Sequence, residues 1–169
     1  MGEYEARPTR SNPAVREYAV KQLAEDCAEW DMEGDETESC KRGWEAALSE
    51  CHLMDNGYEI ARDLERHGVS PDAALVEILD SASSYVWTAH DRLVKAWVAE
   101  NKIIAPLAVG QAITCRYGEG LIVKLDEANA RFVFQPYGKE AEYAGGGGIL
   151  VEYEAAQAIE ARKDASNAA

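Results

Sequence analysis

The chain has 169 residues, room for one ordinary domain or one domain plus a small module, and its 47% hydrophobic and 28% charged content is that of a folded protein. Its 31 acids against 17 bases give a formal net charge of −14, the wrong sign for binding nucleic acid or an anionic lipid surface, both of which require a basic face. No apolar run approaches the ~20 residues of a membrane span, and the opening MGEYEARPTR lacks the apolar core of a secretory signal, so a cytoplasmic location is expected.

Residues 1–11 read as a flexible arm. Asn12-Pro13 then reads as a helix start, with Asn12 as cap and Pro13 at the first helical position. Val15, Ala19, Leu23, Cys27 and Trp30 follow at helical spacing as one apolar stripe. A second helix is predicted from a cap at Asp35, burying Cys40, Trp44, Ala47, Leu48 and Cys51. Asn56-Gly57 marks a break, after which Tyr58, Ile60, Ala61 and Leu64 carry a third helix toward a stop at Gly68. Ser70-Pro71-Asp72 is the strongest helix start in the chain, and helical spacing continues from there to about Glu100, with 80–84 as a candidate interruption. Residues 12–105 thus form a helical domain, a bundle whose four tryptophans fit helix faces and are expected in its core.

The pattern changes at Pro106, where short strands separated by turns begin. Ala112–Arg116 is one strand. The β-prone run Leu121–Leu125, the turn Asp126–Asn129 and the run Arg131–Gln135 make a hairpin. Glu140–Tyr143 reads as a weak strand, four glycines follow at 145–148, and Ile149–Glu152 closes the module. The remainder, 153–169, is expected to be a short helix and tail. The fold class is therefore α+β: an N-terminal helical bundle, a small antiparallel β module over 106–152 and a short C-terminal helix.

The phrase Val109-Gly110-Gln111-Ala112-Ile113-Thr114-Cys115-Arg116-Tyr117-Gly118-Glu119-Gly120-Leu121-Ile122-Val123 resembles the opening of the Tudor-like small barrels found in UvrD-family helicases and CarD-type transcription regulators. Glycines at 118 and 120 permit backbone angles that let one strand bend sharply into the next. The resemblance implies a barrel over 106–152 that serves as a protein-docking surface, notably toward RNA polymerase. Lys41-Arg42-Gly43-Trp44-Glu45-Ala46-Ala47-Leu48 looks like a recurrent pattern of small phage and prophage proteins.

Catalytic chemistry finds little to work with. Cys27, Cys40, Cys51 and Cys115 contain no C-x-x-C pair and are expected as reduced core thiols, with no metal. The four-glycine run leads into a strand, unlike a phosphate loop, which leads into a helix. The chain is read as a non-enzyme without cofactors.

Charge supplies the functional expectation. Residues 25–40, EDCAEWDMEGDETESC, hold eight acids and no base. Two readings fit: a solvated face that maintains solubility, or a surface that imitates a run of phosphates. On the second, Glu25, Asp26, Glu29, Asp31, Glu33, Asp35, Glu36 and Glu38 contact a basic partner, with Trp30 as aromatic anchor. The expected function is a phage or mobile-element inhibitor of anti-CRISPR or anti-restriction type, blocking a basic nucleic-acid-binding surface of a host defence complex without binding nucleic acid itself. The alternative is a transcription or DNA-repair adaptor docking through its Tudor-like barrel.

Overall fold

A computed structural model describes residues 6–31, 37–143, 145 and 147–159. Contacts divide the chain into a helical unit, Met1–Val94, and a second unit, Lys95–Ala169, that carries the sheet.

The helices are α1 (Pro13–Trp30), α2 (Thr37–Leu48), α3 (Gly57–Glu65), α4 (Ala73–Leu79) and α5 (Ala82–Asn101). Local chemistry sets their starts. The Asn12 side chain accepts from the Ala14 amide at 2.9 Å, Asn56 from Glu59 at 3.0 Å and Asp72 from Leu75 at 2.9 Å, each satisfying an amide that the first helical turn leaves unpaired. Gly68, at φ +84°, ends the segment after α3. The proposed cap at Asp35 lies outside the described residues. The chain breaks at Asp80-Ser81 because Asp80 serves another element: its carboxylate accepts from the Gly57 amide at 2.5 Å. A side chain at Gly57 would collide with the Val76 carbonyl, so glycine is what lets α3 start against α4. The helical core gathers Val15, Leu23, Cys27, Leu48, Leu64, Leu75 and Leu79, all buried.

Residues 6–11, expected as a free arm, are held within the helical unit. The Pro8 carbonyl accepts from His90 Nε2 at 3.1 Å, so that nitrogen of the buried ring carries the proton. The Arg10 guanidinium lies 4.2 Å from the centroid of the Trp87 ring. Trp87 is accordingly 47% exposed rather than in the core, with the arginine covering its face. Trp44 is buried, and Trp30 and Trp97 are half-buried.

The second unit holds β1 (Ala112–Cys115), β2 (Gly118–Asp126), β3 (Arg131–Pro136), β4 (Ile149–Glu152) and β5 (Gln157–Ala158) in one antiparallel sheet, ordered β4-β3-β2-β1-β5. The β2–β3 hairpin forms as expected, with a register shift between Ile122 and Lys124. The closed barrel does not form: among the described residues β4 and β5 are the two edges, and the sheet is open. Phe132 and Phe134 are fully buried with Ile113, Ile122 and Val151, and Trp97, Val98, Ile103 and Leu107 pack against them. That packing places the unit boundary at 94/95, inside α5, instead of at 105/106.

Two further expectations are corrected. Glu140–Tyr143 is a 3₁₀ turn, not a strand, with the Glu142 amide donating to the Lys139 carbonyl at 3.0 Å. The short helix expected within 153–169 is replaced, in its described part, by a 3₁₀ turn at Tyr153–Ala155 and by β5. Tyr153 is buried with its ring 4.5 Å from Phe132. The chain beyond it pairs Gln157 with Thr114 and Ala158 with Ile113. An unpaired β1 edge and a buried tyrosine together outweigh the helix propensity of an Ala/Glu-rich segment.

Candidate functional site

The acidic stretch divides according to which way each side chain faces. On α1, Glu17, Lys21, Glu25 and Glu29 are exposed and four residues apart, so they share one face. On α2, Lys41 reaches Glu25 at 3.5 Å, and Lys21 pairs with Glu17 at 2.8 Å. Both pairs are solvent-exposed and add little to stability, but they place cations within the acidic face.

Asp26 faces inward. It is half-buried and accepts a hydrogen bond of 2.5 Å from the Tyr85 hydroxyl on α5. That bond to a carboxylate, with burial second, pushes the phenol up to about 12. Trp30 also turns inward, packing edge-on against Trp44 with ring centroids 6.2 Å apart. Asp31 follows the end of α1 and accepts from the Cys40 thiol at 3.3 Å. Glu38 is exposed in the first turn of α2, where a negative charge complements the helix dipole. Glu33, Asp35 and Glu36 lie outside the described residues. The structure therefore brings Glu25, Glu29, Asp31 and Glu38 to solvent and gives Asp26 and Trp30 internal partners.

The four cysteines are free thiols: Cys27 and Cys51 are buried, Cys40 and Cys115 half-buried. Burial, and then the neighbouring Asp26 charge, push the Cys27 thiol up to about 12. Since the thiolate is the reactive form, alkylation of the folded protein near neutral pH should reach the buried Cys27 last. Peptide mapping after timed exposure to iodoacetamide checks the order, and early modification of Cys27 would contradict the burial. Among the described residues no group of three or more His, Cys, Asp or Glu is placed to hold a metal ion.

A second feature escaped the sequence reading. A cavity of about 390 Å³ in the helical unit is lined by Arg10 and Arg16, by His52, and by Leu53, Met54 and Val86. Arg16 Nη2 donates to the carbonyls of Ser49 at 2.6 Å and Cys51 at 2.8 Å, where the chain leaves α2. His52 Nδ1 is 3.0 Å from Asp55 Oδ1. The available clue was the closeness of Arg10 and Arg16 to the Asn12-Pro13 helix start, but only folding brings residues 52–54 and 86 to them.

No protein-family model matches the chain, and comparison with curated proteins and with solved structures finds no similar protein. Among the described residues no helix is long and apolar enough to cross a membrane.

Proposed function

We propose that this protein is a non-enzymatic inhibitor that binds another protein through an acidic face, occupying a basic nucleic-acid-binding surface in the manner of anti-restriction and anti-CRISPR proteins. One observation carries this reading: Glu25, Glu29, Asp31 and Glu38 are all exposed, in a chain of net charge −14. Fixed carboxylates of one sign steer a basic partner over long range and compete with its phosphate ligand. The interspersed Lys41 lowers the local charge and narrows the face to Glu29, Asp31 and Glu38. Trp30, packed on Trp44, contributes as support under this face.

The test is affinity capture from a bacterial lysate by the intact protein and by a Glu29→Lys/Glu38→Lys variant, at low and high salt. The expected result is a nucleic-acid-handling protein that is released by salt and by added DNA or RNA, and lost from the variant. Because both positions are exposed, the variant should keep its far-UV spectrum. Capture that resists salt and survives the double reversal would overturn the proposal.

That outcome would favour a second reading, an adaptor docking through the second unit. Among the described residues the open sheet has β4 at one edge, and Leu121, Tyr137 and Leu150 are exposed on or beside the strands, the kind of surface that pairs with a partner strand.

A further inference from the structure

We propose that the cavity lined by Arg10 and Arg16 binds a small organic carboxylate, its head on the two guanidinium groups and its apolar body on Leu53, Met54 and Val86. The site is independent of the acidic face.

Charge is the first argument. Among the described residues neither Arg10 nor Arg16 forms an ion pair, although the chain carries 31 acids against 17 bases. Arg16 commits only Nη2 to hydrogen bonds among the described residues, to the Ser49 and Cys51 carbonyls, and that grip fixes the guanidinium plane. Arg10 is held by its stack on Trp87 and makes no hydrogen bond among the described residues. Both groups are thus positioned before any ligand arrives, which lowers the ordering cost of binding. A carboxylate offers the planar acceptor pair that a guanidinium recognises best.

The apolar lining is the second argument. Leu53 and Val86 are 3% and 5% exposed and firmly packed, while Met54 is 38% exposed and can adapt to the ligand's shape. A bare ion would leave the exposed Met54 side chain wet, and a neutral apolar molecule would leave the guanidiniums without an anion. About 390 Å³ suits a compact small molecule. His52, also in the lining, already has a partner, its Nδ1 lying 3.0 Å from Asp55 Oδ1.

Octanoate is a suitable probe, followed by NMR of the methyl groups of the full-length labelled protein. The expected result is saturable shifts at Leu53, Met54 and Val86, with a Kd of about 1 mM or tighter. Octylammonium should cause none, and octan-1-ol and inorganic phosphate should each bind at least about tenfold more weakly. Arg10→Gln, at an exposed position, should weaken octanoate by about tenfold or more while the rest of the spectrum persists. If that variant does not fold, Met54→Glu supplies the same test by placing a carboxylate in the cavity. The proposal is overturned by absence of methyl shifts at ~10 mM octanoate. Equal binding of octylammonium or octan-1-ol, equal binding of phosphate alone, or unchanged affinity in a folded variant would overturn it as well.

Discussion

Alanine at Gly120 should destabilise the sheet unit by about 3 kcal/mol, and alanine at Gly118 by about 1–2 kcal/mol. The two glycines are needed for different reasons. Gly118 sits at φ +99° with open space where a side chain would go, so the cost there is backbone strain alone. Gly120 has no positive φ, but it is buried opposite Pro136. A Cβ there would lie 2.6 Å from Phe134 Cε2 and overlap the Gln135 carbonyl. Relief would require moving β3 or the buried Phe134 ring, and neither is the loose end of a flexible chain. Urea titration followed by hydrogen exchange of the β2 and β3 amides measures both losses. Equal losses, or a larger one at Gly118, would show that β3 yields easily.

Charge reversal at Asp26 should cost the helical unit about 2–3 kcal/mol, against less than about 0.5 kcal/mol for reversal at the exposed Glu29 one turn away. Asp26 accepts the Tyr85 hydroxyl bond between α1 and α5, and lysine there would remove the acceptor and place a cation in a half-buried site. Urea unfolding followed by tryptophan fluorescence reports the difference, since Trp30, Trp44 and Trp87 all lie in this unit. The same bond has a signature in pH. Tyr85 is raised from an ordinary 10.0 to about 12, and Cys27 from 9.0 to about 12. The folded chain therefore holds these protons more tightly than the unfolded one. Their contribution is complete below pH 10 for Tyr85 and below pH 9 for Cys27, and is lost as pH climbs toward about 12. Tyr85→Phe should flatten part of this alkaline decline. An unchanged slope would mean that the hydroxyl bond does not couple the two helices. A binding study that reverses Asp26 together with its neighbours would therefore confuse loss of the partner with loss of the fold, which is why Glu29 and Glu38 are the positions to change.

What was legible in the chain is what depends on near neighbours. The caps at Asn12 and Asp72, the stop at Gly68 and the hairpin joining β2 to β3 each rest on residues a few positions apart. What escaped depends on distant ones. The partner that turns Asp26 inward is 59 residues along the chain, so its acidity alone placed it on the surface with Glu25 and Glu29. Helical spacing put Trp87 in the core, but the face it occupies is covered by Arg10. The 157–158 strand has no β signal of its own and exists because β1 offers an edge. The phrase around Gly118 and Gly120 did mark a sharp β turn, but a local phrase says nothing about whether the outer strands meet.

The order of the sheet also bears on how the chain is made. The helical unit draws its buried residues from positions before Lys95, so its packing can be complete while the strands are still emerging from the ribosome. The sheet has no such freedom. β1 is synthesised first, yet among the described residues its outer edge at Ile113 and Thr114 is paired by Gln157 and Ala158, in the last of the five strands. Throughout that interval the nascent chain carries a bare strand edge, open to pairing with a neighbouring chain on the same messenger. Slow translation between β1 and β5 would prolong this exposure, so yield from an expression system should depend on codon choice across 116–156 more than across the helices.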